Sequence, residues 1–125
     1  MSPTRVVNVR VDPFDVYIGR AGHGYDGYFG NPHTVGLKCP VCKHVGHTRD
    51  EAIEAFKAYF DARIASDTEY RRRVLELQAK RLGCFCTRQG DITGSETPWT
   101  CHGQVYAAWL DTLPEEDLPN GRLLP

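Results

Sequence analysis

The segment Thr48-Arg49-Asp50-Glu51 is a helix-start signature near the middle of the chain. A threonine hydroxyl here can accept from the third helical amide while the glutamate reaches back to the threonine N–H, satisfying two otherwise stranded amides. Behind it Ala52, Ile53, Phe56, Tyr59, Phe60 and Ile64 form one apolar stripe, which needs a surface to bury against. Strand-like runs on either side supply that surface. Val6-Val7-Asn8-Val9-Arg10-Val11 reads as a buried strand broken by Asp12-Pro13, and Val16-Tyr17-Ile18 as a second. Leu82-Gly83-Cys84-Phe85-Cys86 reads as a third. Ser66-Asp67 interrupts the central helix, and a second helix follows with Tyr70, Val74, Leu77 and Arg81 along one face. A last helix begins near Cys101-His102-Gly103, buries Val105, Trp109, Leu110 and Leu113, and closes at Pro114. The expectation is a small α/β domain in the order β-β-α-α-β-α, with a mixed sheet of about three short strands covered by helices.

A chain of 125 residues has room for one core. The expected domain spans residues 1–113, and the polar, proline-rich residues 114–125 read as a flexible tail. Fifteen basic against sixteen acidic side chains leave a net charge of -1, so only a local patch could draw nucleic acid. Arg71-Arg72-Arg73 reads first as a solvated helix face and second as a phosphate patch. The first residues carry no apolar signal core, and no apolar run is long enough to span a bilayer. The expectation is a cytoplasmic protein with no membrane association. The five cysteines would then meet a reducing compartment, where metal or reactive roles outrank stable disulfides.

Those cysteines form two constellations. In Cys39-Pro40-Val41-Cys42 the two-residue gap lets both sulfurs meet one tetrahedral ion at about 2.3 Å, and the proline favours the tight turn of a knuckle. His47 supplies a third ligand, and His33 or His44 a fourth. A thioredoxin-type redox pair would want a preceding strand and a helix starting at the first cysteine, and neither stands there. Zinc is therefore the expected cofactor, with a dithiol switch and inert thiols as alternatives. The knuckle falls near the end of a glycine-rich loop over residues 19–36, long enough to suggest function.

The second constellation is Cys84, Cys86, Cys101 and His102. Alternation along a strand puts Cys84 and Cys86 on one face, roughly 6.5–7 Å apart, which is poor disulfide geometry. Beside a Cys-His pair at a helix start, these thiols suggest a second metal or a thiolate made reactive by the helix dipole and His102. Small apolar strand residues without further role are the plain alternative.

Several motifs occur together in order: Arg5-Val6-Val7-Asn8-Val9-Arg10, Val16-Tyr17-Ile18-Gly19-Arg20, Gly30-Asn31-Pro32, the helix start over residues 49–53, Lys80-Arg81-Leu82-Gly83-Cys84-Phe85-Cys86, and Cys101-His102-Gly103-Gln104-Val105. As a set they closely resemble the uncharacterised domain of unknown function 4326 family of phages and bacteria, notably actinobacteria, over roughly residues 5–113. The family pattern ends in cysteine-x-cysteine followed by cysteine-histidine-glycine and an acidic residue, so Gln104 departs from it and puts a carboxylate-dependent role in doubt. Some relatives lack the Cys39/Cys42 knuckle. In those that keep it, a histidine follows the Asn-Pro turn, which implies His33 over His44 as the fourth ligand. The resemblance thus implies that the knuckle is an accessory staple and that the Cys84 to His102 region carries any shared function. It supplies no activity.

Three functional readings follow. In the first, Arg20, Asn31, Cys84, Cys86 and Arg88 surround a small anionic, nucleotide-like ligand beyond the carboxyl ends of the strands. Cys101 would then serve as nucleophile, with His102 as base or general acid. In the second, a zinc-stapled module binds a protein or, ranked lower, nucleic acid. Arg71, Arg72, Arg73, Lys80 and Arg81 would contact phosphates, while Tyr25 and Tyr28 stack on bases. In the third, the chain is a structural or host-interaction protein with no ligand beyond zinc.

Overall fold

A computed structural model describes residues 3–20, 24–31, 48–84, 92–95 and 99–113, except the side chain of Arg49. Its elements are β1 (Arg5–Asn8), β2 (Val16–Tyr17), α1 (Arg49–Ser66), α2 (Thr68–Leu75), β3 (Arg81–Cys84), β4 (Ile92–Thr93) and α3 (Gly103–Thr112). The sheet order is β2-β3-β1-β4, with β3 parallel to both β2 and β1, and β4 antiparallel to β1. This is the expected mixed α/β architecture with one strand more. The extra strand, Ile92–Thr93, escapes the sequence because two residues leave no alternation to read. They pair only because Val6 and Arg5 offer an edge.

The register fixes two faces. Val6 pairs with Leu82 and Ile92, and this row joins the main core against the helices. Val7 and Gly83 form the opposite row, where Val9 and Phe14 lie close to Gly83. β1 ends earlier than its valines suggest. The Asn8 side chain accepts from the Arg10 N–H (2.8 Å) and its carbonyl from the Asp12 N–H (2.9 Å). That local turn competes with the ladder and wins, leaving Val11 74% exposed.

The capping box forms as expected: Thr48 Oγ1 accepts from the Glu51 N–H (3.1 Å), and Glu51 Oε1 from the Thr48 N–H (2.8 Å). Asp67 ends α1 and starts α2, accepting from the Tyr70 N–H (3.0 Å). That bond, together with Arg63, holds its carboxyl below the usual range. The second helix does not reach Arg81. The chain leaves it after Leu75, turns through Ala79 at φ +63°, and Arg81 instead opens β3. Buried Thr4 secures this turn, because its Oγ1 accepts from the Ala79 N–H (2.9 Å) and donates to Asp111 on α3 (2.9 Å).

The helices meet over Phe56, Phe60, Tyr70, Val74, Tyr106 and Leu110. Tyr106 Oη donates to the Phe29 carbonyl (2.8 Å), so the buried 2.7 Å contact between the Tyr70 and Tyr106 hydroxyls has Tyr70 as donor. Among the described residues no helix is long and apolar enough to cross a membrane. The expected tail over residues 114–125 lies outside the described residues.

Candidate metal centre

The carboxyl ends of the parallel strands β2 and β3 meet the start of α3. Cys84 is the last residue of β3 and lies two residues after Leu82, hence on the helix-facing row. Cys101 and His102 precede the first turn of α3. Their approach to the sheet depends on Gly103. A Cβ there would lie 2.6 Å from Ile18 Cδ1 and 3.0 Å from both Val6 methyls. Only a residue without a side chain lets the helix start this close to the strands.

The ligand atoms of Cys84, Cys101 and His102 all lie within 4.8 Å of one another, and all three residues are buried. His102 Nε2 stands 2.8 Å from the Ile18 carbonyl. A carbonyl only accepts, so Nε2 carries the proton and Nδ1 keeps its lone pair. That nitrogen is 3.9 Å from Cys101 Sγ. Ligands of one tetrahedral ion at thiolate and imidazole bond lengths stand about 3.6 Å apart, so this pair fits and the cluster as a whole must contract by about an ångström. A ligating histidine commonly gives its second N–H to a carbonyl or carboxylate, which sets tautomer and ring orientation. Phe56 and Tyr106 hold the ring edge-on, at 5.0 and 6.3 Å between centroids. Burial is the main cause that lowers the His102 pKa to about 4, so the imidazole is neutral at pH 7 as ligation requires.

The cluster can hold a metal ion once its sulfurs are reduced. Cys84 is in no disulfide, whereas Cys101 is disulfide-bonded. Cys101 Sγ also receives the Gly103 N–H at 3.4 Å, the kind of amide contact that favours a thiolate.

Gln104 is the position where the family resemblance led us to expect an acid. Its Oε1 accepts from the Thr100 (2.7 Å) and Cys101 (3.2 Å) amides, and its Nε2 donates to the Thr93 carbonyl (2.9 Å). The amide therefore ties the cysteine turn to β4, a link that a carboxylate could not complete because it has no proton to donate.

Beside the cluster lies an open hollow of about 500 Å³ lined by Arg20, Gly27, Tyr28, Gly30, Asn31, Tyr59 and Arg63. Two of the sequence-derived ligand residues, Arg20 and Asn31, thus share one surface, whereas Cys84, Cys101 and His102 form the buried cluster. Cys86, Arg88 and the knuckle residues His33, Cys39, Cys42, His44 and His47 lie outside the described residues. Arg63 and Tyr59 were not foreseen as site residues. Their sequence trace is slight, an arginine one helical turn after a tyrosine that also belongs to the apolar stripe. The three consecutive arginines of α2 diverge. Arg71 lies over Trp109 (5.3 Å), Arg72 pairs with Glu69 and Glu76, and Arg73 stacks on Tyr28 (3.7 Å). Tyr25 is exposed and stacked on Tyr17, whereas Tyr28, expected to stack on bases beside it, is half-buried against the core.

A family model described as Domain of unknown function (DUF4326) matches residues 3–112. The chain is also 33% identical over 113 residues to an "Uncharacterized 12.4 kDa protein in nrdA-td intergenic region" of Enterobacteria phage T4, covering 90% of this chain and 82% of that protein. No solved structure matches.

Proposed function

The chain belongs to the family Domain of unknown function (DUF4326), and from that premise we propose a zinc-stapled α/β domain of the cytoplasm that binds a small anionic ligand. The observation that carries the zinc assignment is the orientation of His102. Its Nε2–H on the Ile18 carbonyl turns Nδ1 toward Cys101, with Cys84 alongside. Two thiolates with an imidazole favour zinc over hard cations. Burial of all three residues fits a structural ion better than one that must keep a position open to substrate. His33, Cys39, Cys42 and His47 remain the proposed ligands of a separate zinc knuckle.

Topology supports the anionic-ligand reading. Residues after Ile18 lie beyond the carboxyl end of a parallel strand, where open α/β sheets present ligand sites. Catalysis by Cys101 with His102 as base is a second reading, favoured by their 3.9 Å approach. It requires a substrate to reach two buried side chains, and a histidine with a pKa of about 4 is a weak base at neutral pH.

The test is metal content of protein purified under reducing conditions, followed by cobalt substitution to read thiolate coordination. Cys84→Ser and His102→Gln should each remove about one equivalent of zinc, and Cys39→Ser a different one. Zinc content indifferent to Cys84→Ser, Cys101→Ser and His102→Gln alike would sink the assignment.

A further inference from the structure

We propose that the hollow between Arg20 and Arg63 is a mononucleotide site, taking an aromatic base and its phosphate together. The inference rests on the small-anion reading above and names the ligand class and the residues that would hold it.

Arg63 is the central group. Its Nε donates to Asp67 (3.2 Å) and its Nη1 to the Tyr59 hydroxyl (2.7 Å), while the guanidinium lies 4.0 Å from the Tyr70 ring centroid. These contacts lock the side chain in one orientation, and Nη2 keeps its donors without a hydrogen-bond partner among the described residues. A guanidinium fixed in this way binds an oxyanion with little further loss of freedom. Arg20 stands on the same rim, and Arg73 lies behind Tyr28. Two cations, Arg20 and Arg63, thus line the hollow, with the carboxylate of Asp67 bonded to Arg63.

The remaining lining suits a flat ring. Tyr28 and Tyr59 offer aromatic surface on which any base can stack. The Tyr59 hydroxyl, having accepted from Arg63, retains its own proton to donate. Gly27 and Gly30 let a ligand approach the backbone, and Gly30 also brings the two walls together. A Cβ on it would meet the Gly19 carbonyl at 2.8 Å. Both walls are anchored in the core, one by His102 on Ile18, the other by Tyr106 on Phe29 and by Asn31 Nδ2 on the Ala52 carbonyl (3.0 Å). A hollow of about 500 Å³ is of the size that small ligands occupy.

Calorimetric titration of the reduced, zinc-loaded full chain with AMP, adenosine, pyrophosphate and inorganic phosphate tests the inference. AMP should saturate one site with Kd below about 1 mM, and both adenosine and phosphate should bind at least about tenfold more weakly. Arg63→Lys keeps the charge but loses the rigid fork, and should weaken AMP about tenfold or more. Arg10→Lys, away from the hollow, should not. In the wild type, AMP should shift the amide resonances of Gly27 and Gly30, a readout that holds even if Arg63→Lys proves unstable. Anion binding unaltered by both Arg63→Lys and Arg20→Lys would overturn this site while sparing the small-anion reading. No binding of AMP, pyrophosphate or phosphate would overturn both. Steeply salt-dependent binding of a single-stranded oligonucleotide, tighter than AMP, would replace the mononucleotide with nucleic acid.

Discussion

Replacing Tyr106 with phenylalanine deletes one oxygen atom, and the hydrogen-bond chain through that atom says what the deletion costs. Tyr70 donates to Tyr106, and Tyr106 donates to the Phe29 carbonyl, with both phenol rings fully buried. Without the Tyr106 hydroxyl, a buried donor on Tyr70 and a buried acceptor on Phe29 lose their partners together. Each stranded group costs about 1–3 kcal/mol, so Tyr106→Phe should destabilise the fold by about 3–4 kcal/mol. Tyr70→Phe is a different perturbation. It leaves the Tyr106–Phe29 bond intact and removes one donor from an oxygen that still donates, at a cost of about 1 kcal/mol. Urea unfolding separates the two. With a slope near 2 kcal/mol/M for a chain of this size, the midpoint should fall by about 2 M for Tyr106→Phe and about 0.5 M for Tyr70→Phe. The double variant should cost little more than Tyr106→Phe alone, since the two hydroxyls form one chain. Equal losses for the two single variants, or a loss under about 1 kcal/mol for Tyr106→Phe, would refute this order of donors.

Further outcomes concern the cluster. His102 has a folded pKa of about 4 against an ordinary 6.5, so the unfolded chain takes up the proton first. In metal-free protein its contribution is complete above pH 6.5 and is lost as the pH falls toward 4, about 3 kcal/mol in all. Unfolding free energies across that window should show this slope, and His102→Gln should flatten it. Gly103→Ala forces a methyl against Ile18 and Val6, costing about 1–3 kcal/mol. Because the displaced turn carries Cys101 and His102, zinc affinity measured against a chelator should fall as well. Gln104→Leu removes the acceptor of the Thr100 and Cys101 amides and the donor to the Thr93 carbonyl, for about 2–4 kcal/mol. Amide exchange should then locate the loss in β4 and the cysteine turn.

Legibility in the sequence followed the range of the interactions. The capping box at Thr48 and the break at Asp67 were readable because each is made within a few residues. Strand ends were not: the turn at Asn8 competed with the valine pattern, and β4 exists only because a strand distant in sequence offers its edge. Within the candidate site, the residue types at Cys84, Cys101 and His102 were visible, and so was Arg20. The tautomer of His102 was not, since Ile18 fixes it from 84 residues away. Gln104 read as a missing acid until its amide could be seen between Thr100 and Thr93.

The amino-acid sequence alone determined the α/β class, the family and which side chains have the chemistry to hold a metal. Those properties reside in local periodicity and in the side chains themselves. Tertiary structure decided that Cys84 on β3 comes against the start of α3, and that Arg63 rather than the arginines of α2 faces the hollow with Arg20. Both depend on close approach between segments far apart in the chain, permitted by Gly103 and Gly30 and enforced by burial of the core between them.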